Sequence, residues 1–112
     1  MLTTQKQAPF SKYQANGNDF IIIDFLLTPT ININKNTIAR LCSRHTGIGA
    51  DGLFIILKSK NYDYKINYYN SDGSWETFCA NGSRCVAKYM YDQNPKKNIF
   101  RFETDAGSHT AT

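Results

Sequence analysis

The chain has 112 residues, 41% of them hydrophobic and 20% charged, which is enough for one modest domain with a real core. Its net charge of +4 is mild, and the positive residues are scattered apart from Arg40/Arg44 and Lys96/Lys97, so nothing suggests a nucleic-acid surface. Three cysteines without a CxxC pair suggest neither a disulfide framework nor a zinc site, and apolar runs such as 20–23 are far too short to span a membrane. Residues 1–9 are polar and lack the apolar core of a secretory leader. The expectation is a cytoplasmic chain with reduced thiols, and no partnership with nucleic acid or membrane.

In chain order, 10–13 reads as a strand, 14–19 as a loop rich in turn formers, and 20–25 as a strongly β-prone run. A polar linker covers 28–35. Residues 36–45 then look helical, with Ile38, Leu41, Cys42 and His45 on one face. Asn34 or Asn36 is a candidate N-cap, and Gly47 a candidate for the position after the end. The glycine-rich loop 48–52 feeds an apolar run, 53–57, short enough for a buried strand. Along 62–69 Tyr64, Ile66 and Tyr68 alternate with Lys65, Asn67 and Tyr69, the pattern of a half-buried strand. A turn at 70–73 leads to a candidate hairpin partner at 74–78.

A second helix is expected over 83–92, with Cys85, Val86, Tyr89 and Met90 on one stripe and Asn94-Pro95 as its stop. A strand at 99–104, a turn at 105–107 and a returning segment at 108–112 follow. The last residues fall inside an expected hairpin, so the sequence reads as one part of a longer protein. Strands dominate and two helices accompany them, which predicts an α+β domain.

The chemistry concentrates at Cys79, where the second helix is about to begin. Free N–H groups at a helix start carry partial positive charge. They stabilise a thiolate and bind anions such as a carboxylate. One short segment can therefore supply both an acid–base sulfur and a grip on an acidic substrate. Cys42 and Cys85, on apolar helix faces, read instead as buried small hydrophobes. Asn18-Asp19 and Asn70-Ser-Asp72 are candidate ligand loops, although turn chemistry alone accounts for their composition. Asn81 has the same two readings, ligand or helix cap. His45 suits a helix C-terminus and His109 lies in the terminal hairpin, so neither forms a persuasive Cys/His pair. Gly47-Ile-Gly-Ala-Asp-Gly52 imitates a dinucleotide fingerprint only loosely, because it precedes a strand instead of following one.

Taken together the motifs resemble the N-terminal half of the diaminopimelate epimerase family. They are Lys12-Tyr-Gln-Ala-Asn-Gly-Asn-Asp-Phe20, Arg44-His-Thr-Gly-Ile-Gly-Ala-Asp-Gly52, Tyr69-Asn-Ser-Asp-Gly-Ser74, Cys79-Ala-Asn-Gly-Ser-Arg-Cys85 and Glu103-Thr-Asp-Ala-Gly107, in family order along nearly the whole chain. The resemblance implies a mostly antiparallel sheet wrapped around a central helix, forming the first of two similar domains. It implies a cofactor-independent isomerase that interconverts LL- and meso-diaminopimelate, a homodimer with a small-molecule substrate, on the route to lysine and peptidoglycan precursors. One cysteine from each domain works on opposite faces of Cα, one as thiolate and one as thiol. Cys79 matches the N-terminal cysteine of that pair, and Asn18 and Asn70 match substrate-binding asparagines. Ala80 and Asn81 match backbone positions that hold the α-carboxylate.

There are two departures. Ala80 stands where the family commonly has glycine, and Gly52 where some members have glutamine. The second cysteine is not among these 112 residues, so the chain alone is expected to be inactive. Alternatives are a related racemase or phenazine-type isomerase of the same fold, and a non-catalytic binding or assembly domain in which Cys79 is inert. A cysteine hydrolase is the least supported.

Overall fold

The computed structural model describes residues 10–26, 33–76 and 79–111. The opening residues 1–9, most of the expected linker and the end of the expected 74–78 strand lie outside them. The elements are β1 (Phe10–Ala15), β2 (Asn18–Asp24), α1 (Lys35–Cys42), β3 (Gly52–Leu57), β4 (Tyr64–Asn70), β5 (Trp75–Glu76), α2 (Ala80–Gln93), β6 (Phe100–Thr104) and β7 (Gly107–Ala111).

The strands form one sheet in the order β1-β2-β3-β4-β6-β7, with the short β5 also on β4. The α+β expectation holds, but the sheet is mixed. β1–β2, β3–β4, β4–β5 and β6–β7 are antiparallel, whereas β2–β3 and β4–β6 are parallel. Both parallel pairs arise from helical crossovers, α1 between β2 and β3 and α2 between β4 and β6, because strands that run the same way need a long return.

The two helices lie on opposite faces. Phe20, Ile22, Phe54, Ile56, Tyr64 and Ile66 turn to the α2 side and pack with Cys85, Val86 and Tyr89. Ile21, Ile23, Leu53 and Ile55 turn the other way and pack with Ile38 and Cys42 of α1. A strand buried on both faces cannot alternate apolar with polar, and this is why 20–23 and 53–56 read as continuous apolar runs. Burying each such side chain contributes about 1.5–3 kcal/mol before chain entropy is subtracted. Helix α2 touches β1 and β2 toward one end of the sheet and β7 at the other, so the sheet curls around it.

α1 begins earlier than 36, with Asn34 as its cap, and ends at Cys42. His45, expected in its last turn, is therefore past the helix and exposed. The chain folds back there: the N–H groups of Ile48 and Gly49 donate to the Leu41 carbonyl, and that of Ala50 to Cys42. α2 begins at Ala80, three residues before the expected Ser83, and the N–H of Asn94 closes its last turn. Among the described residues no helix is long and apolar enough to cross a membrane.

Candidate active site

Three adjacent strands bring their polar ends to one side of the sheet. β2 starts at Asn18, β3 starts at Gly52, and β4, running against them, ends at Asn70. The register pairs Phe20 with Gly52 and Gly52 with Asn70, so these positions are level. The start of α2 comes to the same end, since the Asn81 side-chain N–H donates to Asn18 Oδ1 at 3.3 Å.

Helix α2 can approach this closely because of Gly82. A Cβ there would lie 2.0 Å from the Phe54 ring, so any side chain would lift the helix start off the sheet. Cys79 is the N-cap of α2, with extended backbone (φ −143°, ψ 115°). Its Sγ accepts from the Gly82 N–H at 3.4 Å, and its carbonyl accepts from Ser83 at 2.9 Å. That leaves the N–H groups of Ala80 and Asn81 at the helix start without intrahelical acceptors. Cys79 is partly exposed, whereas Cys42 and Cys85 are buried. Burial pushes the thiols of Cys42 and Cys85 up to about 11, which keeps them protonated and inert near neutrality.

Asn70 is set apart by the intervening strand β3. Its N–H donates to the Ser74 carbonyl at 2.8 Å, its carbonyl accepts from Gly73 at 2.9 Å, and its side-chain N–H donates to Ser74 Oγ at 3.0 Å. Gly73 makes this turn possible: it has φ +88°, and a Cβ would meet the Lys35 carbonyl at 2.4 Å. The structure thus joins Asn18, Asn81, Cys79 and Ala80 directly through one helix start and one side-chain contact. Asn70 is placed at the same sheet end, held by its own turn.

The departures at Ala80 and Gly52 acquire physical accounts. Among the described non-glycine residues only Asn16 has a positive φ, so Ala80 sits in ordinary helical backbone and needs no glycine. A Cβ at Gly52 would lie 2.7 Å from the Tyr68 ring and 2.9 Å from both the Tyr68 hydroxyl and the Tyr69 carbonyl. Tyr68, stacked on Phe54 at 4.5 Å, therefore fills the space a longer residue at 52 would take.

Sequence reasoning missed the charged frame around Asn18. Arg44 makes a two-pronged contact with the Asp19 carboxylate at 3.2 and 2.8 Å and reaches Asp51 at 3.3 Å, while Lys12 pairs with Asp19 at 3.0 Å. Arg44 holds the Asp19 carboxyl well below the usual carboxylate range, with Lys12 assisting. Asp19 and Asp51 were hidden by their setting, since Asn, Asp and Gly in loops are explained by turn chemistry. The usable signal was the pairing of two loop aspartates with Lys12 and Arg44. His109 pairs across β6–β7 with Phe102, level with Tyr64 at the end of β4 away from Asn70, and its Nε2 lies 3.0 Å from Thr104 Oγ1.

The sequence model of the diaminopimelate epimerase family matches residues 10–112. The chain belongs to the diaminopimelate epimerase family. It is 45% identical over 101 residues to the diaminopimelate epimerase of Flavobacterium psychrophilum, covering 90% of this chain and 40% of the relative. It is 44% identical over 98 residues to that of Elusimicrobium minutum, covering 88% and 35%. It is 43% identical over 93 residues to that of Helicobacter pylori strain HPAG1, covering 81% and 33%. The chain thus spans well under half the length of these relatives. Among solved structures it superimposes on a Bacillus anthracis phenazine biosynthesis protein of the PhzF family with TM-score 0.60 at 18% identity, over 92% of this chain and 33% of the other. A Clostridium difficile phenazine biosynthesis protein gives 0.56 at 12%, over 92% and 38%. These two likenesses concern the fold.

Proposed function

We propose that this chain is the N-terminal domain of an epimerase that interconverts LL- and meso-diaminopimelate, with Cys79 as the acid–base group on one face of Cα. The observation that carries the reading is the position of the Cys79 sulfur as N-cap of α2, beside first-turn N–H groups that lack intrahelical acceptors and the Asn18–Asn81 pair. The substrate's α-carboxylate docks on the N–H groups of Ala80 and Asn81. The Cys79 thiolate takes the Cα proton, and the C–H electron pair passes into the carboxylate. Those fixed N–H donors then carry the extra negative charge. Inversion requires the new proton to arrive on the opposite face, from a second thiol supplied by the other half of a complete two-domain protein. Traffic in the reverse direction exchanges the roles of the two sulfurs. Asn18 and Asn70 orient the substrate, and no cofactor takes part.

On this reading the 112 residues alone do not epimerise, and the complete protein is a cytoplasmic homodimer in lysine and peptidoglycan-precursor synthesis. The test is incubation of the complete gene product with LL-diaminopimelate, and separately with L-proline, followed by chiral chromatography. Formation of meso-diaminopimelate without racemised proline supports the proposal. Racemised proline with unchanged diaminopimelate assigns the domain to a related racemase, and no conversion of either removes the substrate assignment.

A further inference from the structure

Four side chains at the sheet end form hydrogen bonds that all run one way. Asn16 Nδ2 donates to Asn81 Oδ1 at 3.2 Å, Asn81 Nδ2 to Asn18 Oδ1 at 3.3 Å, and Asn18 Nδ2 to Asp51 Oδ2 at 3.3 Å. An asparagine amide can be turned over, exchanging oxygen and nitrogen with almost no change of shape. An ionised carboxylate has no such freedom, because it only accepts. Asn18 must therefore offer Asp51 its nitrogen. Its oxygen then faces Asn81, which must answer with nitrogen, and Asn81 presents oxygen to Asn16.

We propose that Asp51 is a positioning residue whose carboxylate sets the donor–acceptor polarity of the Asn18–Asn81 pair before substrate arrives. The proposal rests on the functional reading above, in which those asparagines meet the substrate. Asp51 is itself firmly placed. Its Oδ1 accepts from Arg44 at 3.3 Å and its Oδ2 from the Asp19 N–H at 3.0 Å. Its own N–H donates to the Asp19 carbonyl at 2.9 Å and to Asp19 Oδ1 at 3.1 Å. The starts of the parallel strands β2 and β3 are thus laced together through Asp19, Asp51 and Arg44. Asn18 and Asn81 have each committed one N–H and one acceptor site, and each retains one N–H in a fixed plane. For a substrate that carries carboxylates, an aimed N–H is worth more than an amide free to present oxygen, since a lone pair turned toward a carboxylate repels it.

Asp51→Asn tests this, because it preserves size and removes the acceptor-only end. In the complete gene product, KM for diaminopimelate in the Cα-exchange reaction is expected to rise roughly 10- to 100-fold, the size of one mispaired polar contact, with a smaller change in kcat. The side-chain amide NMR signals of Asn18, Asn81 and Asn16 are expected to move, most at Asn18. Iodoacetamide should alkylate Cys79 at a rate within about twofold of wild type, showing an intact helix start, and Asp51→Glu should recover part of the lost KM. Unchanged KM and unchanged amide signals would overturn the proposal. So would a fall in kcat together with a changed Cys79 alkylation rate, which would mean that Asp51 only holds the fold. If wild type exchanges no Cα proton of diaminopimelate, the functional reading fails by itself. The amide signals then decide the polarity claim: movement in Asp51→Asn sustains it and invariance ends it.

Discussion

The two helices of this domain start in chemically different ways. At α1 the cap is Asn34, whose Oδ1 accepts the Thr37 N–H at 2.8 Å, an oxygen acceptor at full hydrogen-bond strength. At α2 the cap is Cys79, whose sulfur accepts the Gly82 N–H at 3.4 Å, a weak acceptor in a position that usually favours Ser, Thr, Asp or Asn. α1 lies on the face of the sheet opposite α2 and Cys79, with its start packed against the turn at Gly73, and its cap is built for stability. On the proposed function, the start of α2 forgoes cap strength to hold a thiol beside first-turn N–H groups that lack intrahelical acceptors. The comparison teaches that a helix terminus optimised for folding and one arranged for chemistry can be told apart by the atom in the cap.

Substitutions can sharpen or break this contrast. The largest stability effect is expected at Gly82→Ala, because the new Cβ would collide with Phe54 and push the start of α2 away from the sheet. A loss of about 1–3 kcal/mol by urea unfolding is expected, with Cys79 displaced as well. Asn34→Ala should cost about 1 kcal/mol by the same assay and leave the alkylation rate of Cys79 unchanged, since that cap lies on the face of the sheet opposite Cys79. Cys79→Ser should move stability the other way, by up to ~1 kcal/mol, because a hydroxyl oxygen caps better than sulfur. A thermal scan showing Cys79→Ser clearly less stable than wild type would mean that the sulfur is there for packing.

The smallest effect is expected far from both helix starts. Tyr64 is wholly buried, stacked on Phe102 at 5.3 Å, and among the described residues its hydroxyl has no hydrogen-bond partner. Tyr64→Phe should therefore be neutral or stabilise by up to ~1 kcal/mol in denaturant melts. A loss above that range would reveal a partner for the hydroxyl.

Much of this was legible in the sequence where a local rule operates. The alternation of Tyr64, Ile66 and Tyr68, the stripe Cys85, Val86 and Tyr89, and the Asn-Pro stop each follow from one element's own geometry. The start of α2 was placed three residues late because cysteine is a poor cap by composition, and only packing against Phe54 shows that the turn at Ala80–Gly82 is helical. The parallel pairings were not legible, because a strand's sequence does not say which way its neighbour runs. At the site, Cys79, Asn18 and Asn81 could be singled out from their motifs. The link between Asn18 and Asn81, and the Asp19–Arg44–Asp51 frame behind them, depends on residues 25 to 63 positions apart meeting at one sheet end.

The central claim is that the Cys79 thiol moves a Cα proton, and deuterium exchange tests it most directly. Complete gene product and its Cys79→Ser variant would be incubated with LL-diaminopimelate in deuterated water, and the Cα–H signal followed by NMR. Exchange by wild type, reduced at least ~100-fold in a folded Cys79→Ser protein, is the predicted result. Exchange that persists undiminished in the variant would contradict the account and leave Cys79 as a helix cap only.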